Sequence, residues 1–317
     1  MPSSKRSERW QIGLGRRRQR HGLLAAAVGV LALAGAVHAA GGGGGGVVKQ
    51  MPAELADLYT MGGRVPVARF LVDDTGGGEG THYKYPAADI EHMVGAARRE
   101  IGAVRARAAA GRPPPRGRAA QRAWWPQALA EHASLLDGAR VVVFGSMEPW
   151  FECLCLAAGA AHVTTVEYNR LTYEHERIRT LTVAELEAAN AAAPTRLLGS
   201  FDVGISASSF DHDGLGRYGD PIAPDGDLRA MSTARALLRP GRGVLFLTVP
   251  VGPDVVVWNL HRRYGPLRLP LLLAGWDEVG RVGWDEKRLT AKANWRQSYE
   301  PVIVLRAPAA HTGNNEL

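Results

Sequence analysis

The sequence predicts an α/β fold with a mostly parallel sheet. Two short β-branched runs, residues 141–144 and 162–166, flank an apolar segment of helical length, residues 150–160. A strand, a helix and a second strand in this order form a βαβ unit, because parallel strands need such a crossover connection. Further strand-like runs separated by helical segments follow and continue the same alternation.

Composition supports a globular protein and argues against a nucleic-acid-binding fold. The length of 317 residues allows one large domain or two small ones, and the apolar fraction of 46% suits a packed core. The net charge is +7, but residues 1–20 carry a net +6 and residues 98–122 a net +7, which leaves −6 for the remainder. A basic charge confined to two segments predicts no nucleic-acid partner.

The amino terminus has the pattern of a targeting segment. Residues 16–20 are basic, and residues 22–40 form an uncharged, mostly apolar run. Val37-His38-Ala39 suits signal peptidase, whereas the length of the run is also near that of a membrane span. The prediction is a secretory-pathway protein, either secreted after cleavage or held by a single-pass anchor with its domain in the lumen; the alternative is an organelle transit peptide.

Four regions follow from this pattern. Residues 1–46 contain the signal peptide or signal anchor and a poly-Gly tether, and residues 47–122 form a variable, partly helical region with a Pro/Arg linker. Residues 123–306 form the α/β domain, and residues 307–317 form a disordered tail. Helices are expected at residues 87–107 and 121–136 of this chain, on either side of the linker.

The elements after the βαβ unit are predicted from caps and apolar runs. Thr182 and Glu185 form a capping-box signature that begins a helix, and Asp225 and Asp227 are expected to cap another. Further strands are expected at residues 201–206, 244–249, 276–282 and 301–306, the last two as an antiparallel pair at the sheet edge.

Several site classes are excluded by the sequence. The two cysteines, Cys153 and Cys155, are two residues apart on a helix and point to different faces, so they suit burial better than a disulfide or a metal pair. The sequence contains neither a P-loop nor a nucleophile elbow, and no second Cys/His cluster gives zinc spacing. We therefore expect no metal site.

Five short segments of the sequence are similar to segments of a known family. They are FGSMEPWFE, TTVEYN, FDVGISASSFDHDGLGRYGDP, DGDLRAM and LFLTVPVG. Over about residues 124–305 the chain resembles class I S-adenosylmethionine-dependent methyltransferases and, within them, the domain of unknown function 268 family. The resemblance implies a Rossmann-like methyltransferase three-layer sandwich, with a mostly parallel sheet and an antiparallel carboxy-terminal strand pair.

A cofactor site is predicted at the ends of the first two strands. Glu167 ends the second strand, where an acid accepts hydrogen bonds from a ribose diol. Gly145 follows the first strand and would let S-adenosylmethionine approach the backbone, although an ordinary strand-to-helix turn explains it equally well. The predicted cofactor-binding residues are Gly145, Ser146, Glu148, Glu167, Tyr168 and Ser206.

A catalytic group is predicted in the long loop after the third strand. His212 is expected to act as a general base that deprotonates a hydroxyl group, with Asp211 or Asp213 orienting its ring. Arg217, Tyr218 and Asp220 are expected to contact the substrate or to brace the loop. The competing interpretation is a loop held together by hydrogen bonds among these Asp, His and Arg side chains.

The predicted function is S-adenosylmethionine-dependent methyl transfer to an oxygen of a glycan or small metabolite. The glycan part depends only on the expected secretory location. Methyltransferases usually have several glycines in the first loop, whereas here Gly145 stands alone before Pro149 and Trp150. This departure favours the alternative, a non-catalytic domain of the same fold that binds a nucleotide-sugar, a glycan or a protein partner. An NAD oxidoreductase is disfavoured because G-x-G-x-x-G is missing.

Overall fold

The structure, a computed structural model, describes residues 47–78, 80–113, 118–193 and 197–309. These residues belong to one compact unit. The predicted signal or anchor segment, the poly-Gly tether, most of the proline run in the linker and residues 310–317 lie outside the described residues. Among the helices of the described ranges, none combines the length and the apolarity needed to span a bilayer.

Strands and helices alternate along most of the chain. The strands are β1 (Val67–Phe70), β2 (His82–Tyr85), β3 (Arg140–Phe144), β4 (His162–Glu167), β5 (Arg170–Tyr173), β6 (Ile178–Thr182), β7 (Val203–Ala207), β8 (Val244–Thr248), β9 (Val255–Asn259), β10 (His261–Arg263), β11 (Asp277–Val282) and β12 (Val302–Arg306). The helices are α1 (Ala56–Thr60), α2 (Ala87–Ala109), α3 (Arg118–Glu131), α4 (Ala133–Leu136), α5 (Trp150–Ala158), α6 (Val183–Ala192), α7 (Gly226–Leu237) and α8 (Leu269–Leu272).

The central sheet has seven strands in the order β6-β4-β3-β7-β8-β12-β11. Strands β6, β4, β3, β7 and β8 are mutually parallel, and β12 runs antiparallel to both β8 and β11. The strand order therefore reverses direction at β3, as in doubly wound folds. This topology confirms the predicted fold class, including the antiparallel carboxy-terminal pair.

Helices cover both faces of this sheet. Along β3, Val141 and Val143 pack with one cluster, which includes residues of α2, α3 and α5, whereas Val142 and Phe144 pack with a second cluster, which includes residues of α6, α7 and α8. Strands buried on both faces are apolar at consecutive positions, which is why residues 141–144 are uniformly apolar. The result is a three-layer sandwich with two cores separated by the sheet.

Local signals place two of the helices. At the start of α6, Thr182 accepts a hydrogen bond from the Glu185 amide (3.2 Å), and Glu185 accepts one from the Thr182 amide (2.7 Å), so the predicted capping box is confirmed. Helix α5 ends at Gly159, whose φ of 116° requires glycine. The single helix predicted at residues 121–136 is interrupted at His132, which separates α3 from α4.

The region before residue 123 is packed into the same unit as the sheet. Helix α2 packs against α5, β2 pairs in parallel with β5, and β1 pairs in parallel with β9. The predicted boundary at residue 123 therefore does not separate two folded units, because long-range strand pairs join the two parts.

The ordered chain also continues past the predicted end of the domain. Ala307 is buried, and its amide donates a hydrogen bond to the Gly243 carbonyl (2.8 Å). Ala307 was expected to lie in the disordered tail, but its small side chain completes the second core cluster beside β12.

Candidate functional site

A pocket of about 320 Å³ lies at the carboxyl edge of the sheet, where β3 separates β4 from β7. This is the position at which open α/β sheets bind ligands, because the strand order reverses there and leaves a crevice. Its lining comes from the carboxyl ends of these strands and the loops after them: Gly145, Met147, Glu167, Tyr168, Ala207, Ser208, Ser209, His212, Asp213, Arg217 and Tyr218.

The loop after β3 begins at Gly145, whose φ is 69°. Its Cα lies directly under Ser209: a Cβ atom added at this glycine would overlap the Ser209 side chain. The amide of Gly145 donates to the Val166 carbonyl (2.9 Å), which holds the loop beside β4. Glycine is therefore required both for the left-handed backbone and for the close contact between the two loops.

Gly145→Ala is expected to lower the free energy of unfolding by about 2–5 kcal/mol, from a left-handed backbone (~1–2 kcal/mol) and overpacking against Ser209 (~1–3 kcal/mol). Gly138→Ala is the matched control, since its φ is 67° but an added Cβ would meet open space. Urea unfolding should show the smaller loss for Gly138→Ala, and Ser209→Gly should recover part of the Gly145→Ala loss. Equal losses at Gly138 and Gly145 would contradict the close contact.

Glu167, at the end of β4, is almost fully buried and lines the pocket. Its Oε1 accepts hydrogen bonds from the Asn169 amide (3.1 Å) and from Asn169 Nδ2 (2.8 Å). Oε2 has no hydrogen-bond partner within the described ranges, and Glu167 lines the pocket. Asn169 therefore fixes the orientation of the carboxylate and leaves one acceptor for a ligand hydroxyl.

The loop after β7 turns sharply into the pocket. Ser208 has a φ of 51°, which is unusual for a residue other than glycine, and the short 3₁₀ turn Phe210–His212 follows. The Ser208 amide donates to the Thr248 carbonyl of β8 (2.9 Å), which holds this backbone in place. Such strained residues cluster at ligand sites, and this one lines the pocket.

The ring of His212 is oriented by a backbone carbonyl. Nδ1 lies 2.5 Å from the Leu260 carbonyl oxygen, which can only accept, and 3.3 Å from Arg217 Nη1, which can only donate. The carbonyl is much the closer partner, so Nδ1 carries the proton and donates to it. Nε2 then has the lone pair, and it lies 3.6 Å from Asp211 Oδ2, too far for a hydrogen bond. The sequence predicted that Asp211 or Asp213 orients the ring; Leu260 does so instead, because Asp211 faces the other nitrogen.

Burial sets the protonation of this pair. It raises the pKa of Asp211, whose side chain is inaccessible to solvent, to about 7. Burial and, to a smaller extent, the Arg217 guanidinium group lower the pKa of His212 to about 4. His212 is therefore a neutral imidazole at neutral pH, with a free lone pair on Nε2.

The rest of the loop after β7 is braced rather than open. Both oxygens of Asp220 accept backbone amides: Oδ2 those of Gly214 (2.7 Å) and Gly216 (3.0 Å), and Oδ1 that of Tyr218 (3.2 Å). Asp220 is buried and outside the pocket lining, so the structure favours the bracing role over substrate contact. Arg217 lines the pocket, but its Nε is paired with Asp74 Oδ2 at 2.6 Å.

A segment that lies far upstream in the sequence contacts both the loop after β4 and the loop after β7. We call residues 71–81 the crossing segment; all but residue 79 are described. At one end Asp74 pairs with Arg217, and at the other the Thr81 amide donates to Asn169 Oδ1 (2.9 Å). The crossing segment thus links the loop after β7 to the loop after β4.

The structure gathers most of the residues predicted for the site. Gly145, Glu167, Tyr168, His212, Asp213, Arg217 and Tyr218 line the pocket. Five others lie behind or beside it: Ser146, Ser206, Asp211 and Asp220 are buried, and Glu148 is exposed outside the lining. Sequence reasoning missed Asp74, Asn169 and Leu260, whose roles depend on distant contacts or on a backbone carbonyl and have no local signal. In the described part of the chain no cluster of His, Cys, Asp or Glu could hold a metal ion.

Solved structures of similar fold include several methyltransferases at low identity. A putative sarcosine dimethylglycine methyltransferase from Galdieria sulphuraria is 14% identical with a TM-score of 0.36; the match covers 51% of this chain and 61% of that one. A putative type 11 methyltransferase from Sulfolobus solfataricus is 13% identical with a TM-score of 0.33, covering 56% and 89%. An S-adenosylmethionine-dependent methyltransferase from Mesorhizobium loti is 13% identical with a TM-score of 0.31, covering 56% and 97%. Likenesses of this size carry no argument about activity, and the fold is defined by its own strand order.

A search of curated protein sequences finds no match. The sequence profile of one family matches residues 138–301, which is more than half of the chain. The match begins just before β3 and contains the three strand ends that form the pocket, together with Glu167, His212 and Arg217. The chain belongs to the family described as Caenorhabditis protein of unknown function, DUF268.

Proposed function

We propose that the pocket binds S-adenosylmethionine and that the protein is a methyltransferase. The observation that carries this proposal is the position of Glu167: it ends β4 and lines the pocket where the strand order reverses, and its Oε2 has no hydrogen-bond partner among the described residues. An acid at the end of the second strand of such a sheet accepts hydrogen bonds from a ribose diol. The methyltransferase-like fold supports the choice of this nucleoside over others.

The residues around the pocket fit such a ligand. Glu167 Oε2 would accept from the ribose, while Gly145 and Met147 would lie along the methionine part. Tyr168 is partly exposed at the rim, where its ring could cover the adenine. Ser209 lies above Gly145, so its side chain would need to rotate for the ligand to reach the backbone.

The charge of the pocket suits a cationic ligand. Arg217 is neutralised by Asp74, and His212 is uncharged at neutral pH because its pKa is lowered by burial. Burial also raises the pKa of Asp213 well above its usual value, which disfavours its charged form. Glu167 then contributes the negative charge, and the cofactor would bring a sulfonium and an ammonium group.

The catalytic role falls to His212. The bound cofactor would supply an electrophilic methyl group, and the acceptor hydroxyl would need to lose its proton. His212 lines the pocket, and because its Nδ1 donates to Leu260, Nε2 is the nitrogen that would take that proton. Alignment of the acceptor with a base is sufficient for this reaction class, so a small set of residues can support it.

For the acceptor we propose an oxygen of a glycan or small metabolite. This follows from the targeting pattern of residues 1–46, which points to a domain in the lumen of the secretory pathway, secreted or anchored. An organelle destination would shift the acceptor towards small metabolites. A nucleic-acid acceptor is disfavoured, because outside its two basic segments the chain has a net charge of −6.

One observation favours a second candidate, a non-catalytic domain that binds a nucleotide-sugar, a glycan or a protein partner. Gly145 is the only glycine in the first loop, and the Ser209 side chain occupies the space above it. A ligand that contacts Glu167 and the rim without approaching this backbone would avoid Ser209. In this case the pocket would bind a ribose and would need no base.

The deciding experiment is calorimetric titration of S-adenosylmethionine and S-adenosylhomocysteine into the full chain, with NAD as the control. Micromolar binding of the first two and none of NAD is expected. A folded protein that binds neither would overturn the methyltransferase proposal. Binding of a nucleotide-sugar in the same titration would then support the second candidate.

His212→Ala is expected to lower kcat by about 10²–10⁴-fold and to leave the Kd for S-adenosylhomocysteine unchanged within threefold. The measurement is release of S-adenosylhomocysteine with an acceptor found by screening glycans and hydroxylated metabolites. Wild-type kcat at saturating cofactor should stay level as pH falls to about 5 and then drop through about 4, where His212 protonates. His162→Ala, an exposed histidine at the other edge of the sheet, is the control. Full turnover by His212→Ala would exclude His212 as the general base.

A further inference from the structure

A buried acid lies directly behind the loop after β3. Glu152, in the first turn of α5, is inaccessible to solvent. Its Oε1 lies 2.6 Å from Thr165 Oγ1 on β4, and its Oε2 lies 3.1 Å from Ser146 Oγ in the loop. Glu152 therefore connects the loop to both the helix and the strand that flank the pocket.

The hydrogen bonds of Ser146 assign a proton to Glu152. Ser146 Oγ also lies 2.8 Å from the Glu148 carbonyl oxygen, which can only accept. A serine hydroxyl has one proton, and this proton is needed for the carbonyl. The contact between Ser146 Oγ and Glu152 Oε2 is then a hydrogen bond only if Glu152 is protonated and donates.

We infer that Glu152 is a positioning residue for the ligand pocket: as a neutral carboxylic acid it donates to Ser146 and so holds the loop between β3 and α5 in the shape that borders the pocket. Ser146 lies between Gly145 and Met147, which both line the pocket. Its carbonyl also accepts from the Tyr173 hydroxyl (2.6 Å), so the hydroxyl and the carbonyl of this residue are both held from behind. The ligand named below depends on the function proposed above; the role of Glu152 in the loop does not.

The surroundings of Glu152 agree with a neutral acid. Burial raises its pKa to about 7, and the hydroxyl groups of Thr165 and Ser146 oppose this effect only in part. The titratable groups coupled to it are Cys153 and Cys155 on α5 and Tyr173 on β5, whose pKa values are raised chiefly by burial, so they stay uncharged at neutral pH.

Two further acids, Glu148 in the loop and Glu91 on α2, act on the pKa of Cys153 beside it. Neither brings a positive charge that would stabilise an ionised Glu152. Asp211, behind the opposite loop, has a pKa in the same range but lies on a different element.

Ionisation of Glu152 would change the loop. A carboxylate at Oε2 would attract the Ser146 proton, and the Glu148 carbonyl would lose its donor. The loop would then be released from the shape that the neutral acid maintains, and ligand affinity would fall as pH rises above about 7. If only the protonated form holds the loop, linkage allows up to tenfold loss of affinity for each pH unit above that pKa.

Glu152→Gln provides the test, because its amide can accept from Thr165 and donate to Ser146 at every pH. S-adenosylhomocysteine is titrated into full-length wild type and Glu152→Gln from pH 6 to pH 9. The Kd of wild type should rise at least tenfold over this range, while that of Glu152→Gln stays within threefold. Asp211 is present in both proteins, so their difference isolates Glu152. Parallel pH profiles for the two proteins would overturn the inference.

A second readout does not need a ligand. Amide hydrogen exchange of the peptide that contains residues 145–149 is compared between the two proteins at each pH. The ratio of the wild-type rate to the Glu152→Gln rate should be about one at pH 6 and exceed tenfold at pH 9. If the ratio rises with pH but S-adenosylhomocysteine does not bind, the positioning role of Glu152 is supported and the proposed function is contradicted. A ratio of one at every pH would contradict the positioning role.

Ser146→Ala separates this role from simple packing. It removes the hydroxyl that links Glu152 to the Glu148 carbonyl and leaves Glu152 and Thr165 in place. We expect its loop to exchange faster than that of Glu152→Gln at every pH, by a ratio that does not change between pH 6 and pH 9. Slow exchange at pH 6 in Ser146→Ala would show that the loop is held by other contacts and would contradict the inference.

Discussion

Replacing Glu167 with alanine is expected to weaken S-adenosylmethionine and S-adenosylhomocysteine binding by about 100-fold, because a hydrogen bond to a charged group contributes ~1.5–3 kcal/mol and a ribose diol would offer two donors. Asn169 holds Oε1, so the carboxylate is already oriented before a ligand arrives. Glu167→Gln should lose less, since its amide retains one acceptor. Calorimetric titration of wild type, Glu167→Gln and Glu167→Ala at pH 6.5 measures the order of their affinities directly.

The control for this change is Glu176→Ala. Glu176 is an exposed acid in the turn before β6, at the opposite edge of the sheet, so its loss alters the net charge equally without touching the pocket. Its Kd should match that of wild type. If Glu176→Ala and Glu167→Ala weaken binding by the same factor, the effect is one of overall charge, and Glu167 is not the ribose acceptor.

The largest loss of stability is expected from Asp227→Ala. Asp227 is inaccessible to solvent and accepts hydrogen bonds from Arg268 Nε (2.9 Å), Arg268 Nη2 (2.5 Å) and the Tyr264 hydroxyl (2.8 Å). Burial alone would raise its pKa, but the Arg262 and Arg268 guanidinium groups hold the pKa below its usual value. Removing the carboxylate leaves these buried cations without a counter-ion, at a cost of about 3–5 kcal/mol.

Asp225→Ala is the matched control, two residues away. Its carboxylate is half exposed, pairs with the exposed Arg229 and makes no cap hydrogen bond with the start of α7. Such a pair contributes about 0–1 kcal/mol. Urea unfolding at pH 7 should therefore separate the two variants by several kcal/mol; similar midpoints would mean that Arg268 finds another partner. Replacing Asp227 and Arg268 together with apolar residues should recover part of the loss.

The sequence was informative wherever neighbours in the chain decide the structure. The βαβ unit, the capping box at Thr182 and the carboxy-terminal strand pair are each encoded in neighbouring stretches of the chain, and the structure confirms all three. The expectation that Asp227 caps a helix was wrong, because the role of this residue is decided by a partner that is distant in the sequence. Its partner Arg268 lies 41 residues away, and nothing in the local pattern distinguishes a capping acid from a buried counter-ion.

Long-range pairing explains the elements that were missed. Residues of β9 form a short apolar run after Pro250, but their partner β1 lies nearly 190 residues upstream, so no periodicity links them. The orientation of His212 could not be predicted either, since the group that fixes it is the backbone carbonyl of Leu260, and every residue has a carbonyl. The sequence did place His212 near Glu167, because both follow parallel strands whose ends meet at one edge.

Because of the crossing segment, the pocket depends on two separate parts of the sequence. Residues 138–301 contain six of the seven strands of the central sheet and the loops beside Glu167 and Arg217, whereas Asp74 and Thr81, which join those loops, lie outside that range. Lengthening or shortening residues 71–81 would change the reach between the loops without disturbing a single strand. The sheet and the separation between the two pocket loops can therefore vary independently. A protein with the same sheet and a crossing segment of another length would accept a larger or smaller ligand.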